Sequence, residues 1–394
     1  MGRRGQNAQS GMTGHGTALA KPRWIGQRAA HPAPFPGPDL TMPQIQAETM
    51  STRETMHALV FDGVLRAGVL PRPVPGAGEV LVDVSTCAIS RADVDMVAGR
   101  RSVEISPAIF GHQFVGTVCA LGERTDEKWL GRRVVGQTVP GCGRCGRCRH
   151  GFTWQCEEGL KTGLGMGLVD GAFAEYVRVP ESSLVEVIDD LDDEEAVFAY
   201  PVASILQALE VVEGEPPQRV LVVGDGNMGL LATFMAHATG HAVSVLGRHP
   251  SRREVLWRSG IGFIPVPDDA LQNPEKLLPE VGDPYGYVIE CSGRIDGLEL
   301  AARCLRPHGR LILVSDHVGQ PGARLSFLIR SEIEMVGIGT GPLGPAMEYL
   351  ATQAVDVPAL VEHRASMREG VNAFERASRR GTLRTLLKNK YEVI

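Results

Sequence analysis

Residues Arg219–Gly240 read RVLVVGDGNMGLLATFMAHATG. A short apolar run, a glycine turn and then apolar residues at helical spacing predict a buried strand, a tight turn and a helix. Gly224, Gly226 and Gly229 form a G-x-G-x-x-G in that context. The first glycine permits the turn, the second lets backbone approach a pyrophosphate, and the third lets helix and strand pack closely. The phosphates then meet the positive end of the helix. Downstream, HAVSVLGR (241–248), YGYVIECSG (285–293) and GRLILVSD (309–316) read as further buried strands separated by helical stretches. Alternating strand and helix with apolar strands predicts a parallel, doubly wound α/β sheet that binds a dinucleotide.

The end of the second strand bears on which dinucleotide. About 20 residues after the glycine turn an NAD enzyme usually carries Asp or Glu on the ribose 2′-hydroxyl. Here SVLGRHPSRRE places Gly247 at that position and Arg248 after it, with His249, Arg252 and Arg253 close by. Glycine makes room for a 2′-phosphate and arginine pairs with it, so the expected cofactor is NADP(H). The bland alternative is a solvated basic loop.

Upstream the texture is different. MHALVF (56–61), EVLVDVST (79–86), GHQFVGTVCALG (111–122), GRRVVGQTVPG (131–141) and GAFAEYVRVP (171–180) read as short strands cut by turns such as PRPVPGAGE. LDDEEAVFAYPVASILQALEVV (191–212) reads as one helix with an acidic first turn. After Gly341, helices are expected around PAMEYLATQ and VNAFERASRR, and LRTLLK (383–388) reads as a strand that returns to the first domain. The expected organisation is therefore a β-rich domain at 56–198 and 338–394, interrupted by a dinucleotide-binding domain at 199–337.

Inside the β-rich part lies CGRCGRCRHGFTWQC, in which Cys142, Cys145, Cys148 and Cys156 are spaced C-x2-C-x2-C-x7-C. Four thiolates so close together suit the closed tetrahedral coordination of a structural Zn²⁺, in a lobe at 140–158. The other four of the eight cysteines are scattered in apolar segments, which is metal-site usage in a reducing cytoplasm and not a disulfide framework.

Composition sets outer limits. With 394 residues, 22% charged and 43% hydrophobic, the chain suits two globular domains. A net charge of −6 gives no electrostatic reason to expect nucleic acid or an anionic membrane, and no apolar run reaches membrane-span length. Residues 1–55, rich in Gly, Pro and Ala, read as a disordered extension, with Met50 or Met56 as alternative translation starts. Arg3–Arg4 is followed by no apolar h-region, so no export signal is expected.

Taken in order, EVLVDV, GHQFVG, the four-cysteine lobe, GAFAEYVRVP, DEEAVF and GDGNMG make the chain resemble the zinc-type alcohol dehydrogenases of the medium-chain dehydrogenase/reductase superfamily, over about residues 56–394. The resemblance implies a GroES-like catalytic domain plus a Rossmann domain, an active cleft between them, one structural zinc on the four cysteines, and a homodimer or homotetramer acting on a small molecule.

It also exposes departures. The family's first catalytic zinc ligand, a Cys in a segment like CGICGSDLH, falls at Ser90 of CAISRADVD. The second survives as His112, but the Glu after it is Gln113. The third, the acid of a segment like EPLA, is Tyr200 of YPVA. The proton-relay hydroxyl falls at Ala92 and the later histidine at Asp95. A serine hydroxyl is a poor Zn²⁺ ligand beside a thiolate. Three readings follow: a zinc-independent NADPH reductase, a dehydrogenase with an unusual metal set such as His112 with Asp95, or a catalytically idle binding protein. Without zinc, hydrogen-bond donors must stabilise the developing oxyanion, and the resemblance places Ser90, His112 and Tyr200 around one point. His112 or Tyr200 is expected to supply the proton, with Asp93 holding His112. Arg91 matches a position that touches the cofactor pyrophosphate in some relatives. The substrate class left open is a ketone, an aldehyde or a C=C conjugated to a carbonyl.

Overall fold

A computed structural model of the chain describes residues 54–212, 214, 217–267, 275, 277–317 and 326–389. Residues 1–53 of the expected extension 1–55 lie outside the described residues, and Thr55, its last residue, already belongs to the strand Thr55–Phe61.

Six strands within residues 219–337 form one parallel sheet. Arg219–Val223 lies in the middle, flanked on one side by Ala242–Gly247 and then Gly262–Pro265. On the other side lie Tyr285–Glu290, Leu305–Leu313 and Glu334–Gly337. Numbered within this sheet the order is 3-2-1-4-5-6, the doubly wound Rossmann order, so the strand order reverses between Arg219–Val223 and Tyr285–Glu290. The central strand buries four of its five residues, as expected of a strand covered on both faces.

The rest of the described chain is a seven-stranded mixed sheet and a three-stranded antiparallel one. Glu79–Ile89 is the hub of the larger sheet, pairing with Phe114–Leu121, Tyr176–Pro180 and Arg384–Lys388. The returning strand Arg384–Lys388 is parallel to Val361–Ser366, a strand not foreseen in the sequence. Ala88, Val115 and Leu386 of this sheet share one apolar core with Val220, Leu231 and Ile205 beneath the glycine turn, so the two halves are packed together under the site.

One expected helix is two. Asp193–Ala196 is a single capped turn, in which Asp192 and Glu195 form a reciprocal capping box. A second helix, Ala199–Glu210, starts at once. Pro201 has no N–H to give Val197, so the first helix cannot run on; in the first turn of a new helix that missing donor is harmless. The break places Tyr200 in the first turn of the second helix.

Candidate functional site

The dinucleotide cradle is built by the turn 224–229. Gly224 has φ +109°, a conformation that favours glycine, and an added Cβ at Gly229 would lie 1.9 Å from the Gly224 carbonyl oxygen. An added Cβ at Gly226 would meet nothing within 4 Å, so this is where backbone is open to a pyrophosphate, at the start of helix Asn227–Ala238. The residues present therefore fit a dinucleotide.

The basic residues beyond the second strand do different things. Asp225, buried inside the glycine turn, accepts from the His249 backbone N–H at 2.8 Å and lies 2.9 Å from His249 Nδ1. Arg252 turns inward as well, donating to the Gly381 carbonyl. Arg248 makes no hydrogen bond or ion pair among the described residues, and its charge helps to hold the Asp296 carboxyl low, after burial, which opposes this, and Arg294, which dominates the lowering. Gly247 is required by this packing, since a Cβ there would stand 2.5 Å from Phe263 and 2.7 Å from Asp225 Oδ2; the space expected to make room for a 2′-phosphate is thus taken by an aromatic ring and a carboxylate. Asp225, which the sequence reading passed over, is thus the residue that shapes the loop.

The second centre is the network around His112. His112 and Gln113 follow Gly111, whose φ of +98° turns the chain into the strand Phe114–Leu121; a Cβ at Gly111 would lie 2.8 Å from Phe173. Both side chains are buried. Arg384, itself buried and stacked 4.6 Å over the Phe198 ring, donates to Gln113 Oε1. A guanidinium has only donors, so the Gln113 amide oxygen must face it and the NH₂ must face the other way. That NH₂ nitrogen lies 3.2 Å from His112 Nε2. His112 Nε2 must therefore accept, and the ring proton sits on Nδ1, which lies 3.7 Å from Asp93 Oδ1, beyond hydrogen-bond reach, so the expected hold of Asp93 on His112 is not a hydrogen bond and Nδ1 is buried with no hydrogen-bond partner among the described residues. Arg384 also feels its surroundings: burial pulls its pKa down to about 10, against the opposing charges of Cys87 and Asp93.

Ser90 caps the helix Arg91–Val97. Its Oγ accepts from the Asp93 N–H at 3.3 Å while Asp93 Oδ2 accepts from the Ser90 N–H at 2.7 Å, a capping box. Asp93 Oδ1 also accepts from the Gly111 N–H at 3.3 Å. Tyr200 packs edge-on to His112, with ring centroids 5.0 Å apart. Burial, with a smaller push from Asp93, raises its phenol to about 12. Ser90, Asp93, His112 and Tyr200 thus form one connected group. Arg91 pairs with Asp95 at 3.0 Å, one turn along its own helix, and Arg100 holds the same carboxylate at 2.7 Å. Arg101, in the loop after this helix, pairs with Asp316, just beyond the strand Leu305–Leu313. Gln113 was noted only as a departure from the family. Arg384, Arg101 and Asp316 carried no signal in the sequence, because each meets its partner only through the fold.

The metal centre is the four-cysteine lobe. The sulfurs of Cys142, Cys145, Cys148 and Cys156 lie within 4.8 Å of one another. Backbone N–H groups already point at them: Cys145 N to Cys142 Sγ and Gly159 N to Cys156 Sγ, each at 3.3 Å. The Cys148 N–H, first among the causes, lowers the Cys145 thiol to about 6, while burial raises Cys148 to about 11. Four convergent sulfurs with N–H support fit a tetrahedral metal ion. Among the described residues no second group of three His, Cys, Asp or Glu ligand atoms comes together in this way. No helix of the described residues is long and apolar enough to cross a membrane.

Comparison with known proteins follows the same division. The family model for the alcohol dehydrogenase GroES-like domain matches residues 76–189, and that for the zinc-binding dehydrogenases matches residues 228–355. A sorbitol dehydrogenase from Halalkalibacterium halodurans is 28% identical over 325 residues, covering 80% of this chain and 93% of the relative. An L-galactonate-5-dehydrogenase from Escherichia coli is 31% identical over 251 residues, covering 63% of this chain and 72% of the relative. Among solved structures, a zinc-binding dehydrogenase from Sinorhizobium meliloti bound to NADP superposes with a TM-score of 0.75 at 24% identity, covering 85% of this chain and 99% of that one.

Proposed function

The chain belongs to the zinc-binding, GroES-like alcohol dehydrogenase family, and from that premise we propose that it is an NADP(H)-dependent oxidoreductase which reduces a carbonyl, or a C=C activated by one, without a catalytic zinc. The four-cysteine lobe would hold its one metal ion, a structural Zn²⁺. The carrying observation is the contact between Gln113 Nε2 and His112 Nε2 at 3.2 Å, with Arg384 fixing which way the amide faces. The lone pair a metal would use is already taken by a hydrogen bond. Ser90 Oγ caps a helix, and no thiolate or carboxylate stands in the other ligand slots. Asp95, the acid of the alternative metal set, is engaged by Arg91 and Arg100.

The cofactor, when bound, supplies the hydride; the chain's residues must hold the substrate oxygen and give it a proton. Tyr200 suits the second task. With its phenol raised to about 12 it keeps its proton at neutral pH and can donate to a developing oxyanion. His112 sets the position of the Tyr200 ring by edge contact, and Asp93 fixes the Ser90 turn and Gly111 on either side. Ser90, whose Oγ accepts from Asp93, keeps its own hydroxyl proton for a second hydrogen bond. Arg248 is the residue proposed to read a 2′-phosphate. The chain would act as a homodimer or homotetramer, its subunits meeting at one of the two open edges of the parallel sheet among the described residues, Glu334–Gly337.

Metal analysis of the purified protein is the test. About one zinc per chain that survives mild chelation supports this reading. A second zinc that is lost on changing His112 to Ala overturns it. A protein with one zinc that binds NADPH but oxidises it with no enone, quinone, ketone or aldehyde would be a binding protein.

A further inference from the structure

We infer that Asp225 is the carboxylate that limits selectivity for NADP(H), so that the site binds NADH alongside NADPH. The inference rests on the dinucleotide reading above and adds a residue that sets its cofactor choice. In a doubly wound sheet the carboxyl end of the second strand faces the adenosine ribose, and an acid there repels a 2′-phosphate. Strand Ala242–Gly247 ends in glycine and supplies none. The glycine turn supplies one instead. A Cβ added at Gly247 would lie 2.8 Å from Asp225 Cβ and 2.7 Å from Asp225 Oδ2. The Asp225 side chain therefore stands where the side chain of an acid at 247 would begin. A carboxylate from the first turn has taken the place that the second strand leaves open.

The charge is fixed in that place. Asp225 is 4% exposed and lies between Gly224 and Gly226. Its Oδ2 accepts from the His249 backbone N–H at 2.8 Å, and its Oδ1 lies 2.9 Å from His249 Nδ1. Gly381 backs the His249 ring: a Cβ there would stand 2.6 Å from His249 Nε2. The Gly381 carbonyl takes Arg252, whose Nη1 stays 3.9 Å from Asp225 Oδ1, beyond hydrogen-bond reach. Arg248 pulls in the opposite sense. It follows Gly247 directly and has no hydrogen bond or ion pair among the described residues. A 2′-phosphate drawn to this loop by Arg248 comes under the field of the buried carboxylate, which water screens poorly. The attraction of the arginine is partly cancelled. The 2′-hydroxyl of NADH carries no charge and is indifferent to both.

The test compares the two cofactors in the wild type and in Asp225→Asn, by nicotinamide fluorescence titration. Asparagine keeps an oxygen for the His249 N–H and removes the charge. The wild type is expected to bind NADPH and NADH within about tenfold of each other. Asp225→Asn should bind NADPH roughly 5- to 30-fold more tightly, and NADH within about twofold of the wild type. An Asp225 with only a structural task would weaken both cofactors alike. A second measurement needs no variant: calorimetry of the wild type with 2′-phospho-ADP-ribose and with ADP-ribose. The ratio of their affinities should change by less than about threefold between roughly 0.05 and 0.5 M salt, because attraction and repulsion are screened together. NADPH preferred by more than about tenfold in the wild type, a preference unmoved by Asp225→Asn, or a ratio that falls about tenfold with salt would overturn the inference and leave the NADP(H) reading standing. A wild type that prefers NADH, and is moved towards NADPH by Asp225→Asn, would support the inference and refute the selectivity assigned to Arg248. Failure of both cofactors to bind would sink the oxidoreductase reading, and this one with it.

Discussion

Changing Tyr200 to Phe should produce two separable effects, one on the reaction and one on stability at high pH. The phenol is raised from an ordinary 10.0 to about 12, chiefly because burial disfavours phenolate. A folded-state pKa above the unfolded one gives stability that is complete below pH 10 and lost as the pH rises towards 12. At pH 11 the unfolded tyrosine is mostly ionised and the folded one mostly not, which amounts to about 1.4 kcal/mol lost relative to pH 8. Phenylalanine has no proton to lose. Denaturant unfolding of both proteins at pH 8, 10 and 11 isolates the term, since every other titrating group cancels in the difference. The wild type should lose about 1.4 kcal/mol more than the variant between pH 8 and 11. The variant should also lose roughly 100-fold or more in kcat near neutral pH, as removal of a general acid does. Parallel pH dependence in the two proteins would show that the phenol is not buried as described. Undiminished kcat would remove Tyr200 from the chemistry.

Two further outcomes follow from the same contacts. Arg248→Ala should weaken NADPH by roughly 10- to 100-fold and leave NADH nearly unchanged, by fluorescence titration, because one charge-assisted contact to a 2′-phosphate is removed. Equal effects on both cofactors would place Arg248 outside the site. Gln113→Leu should leave the buried Arg384 donor unpaired and cost about 1.5–3 kcal/mol in denaturant unfolding, while Gln113→Glu should retain the pairing. A Leu variant as stable as the wild type would refute the network.

Much of this was legible because it is local. The glycine turn and the four-cysteine lobe are each complete within a short segment, so spacing alone specifies their chemistry. The double helix after residue 191 was also available in the sequence, in Pro201, but helical periodicity hid it. Ser90 is a subtler case. Ser90-x-x-Asp93 is itself a capping-box pattern, so the residue that stands where a zinc ligand would be has a structural task as well. The state of His112 was not legible, since it depends on Arg384, which lies 271 positions from Gln113 and reaches it only through a sheet closed by a returning strand.

That returning strand has a consequence for biosynthesis. A ribosome adds about 5–20 residues per second, so Arg384 follows Gln113 out by roughly 14–54 s. During that interval the other walls of the pocket around His112 are made one after another, Val135 first, then Tyr200 and last Leu343, and the cation that orients its amide comes after all of them. The edge of Glu79–Ile89 that Arg384–Lys388 will occupy is open to other partners meanwhile. The first half of the chain must wait, incompletely folded, while the dinucleotide-binding half is made. Chaperone dependence should therefore be greatest for nascent chains stalled between these two segments.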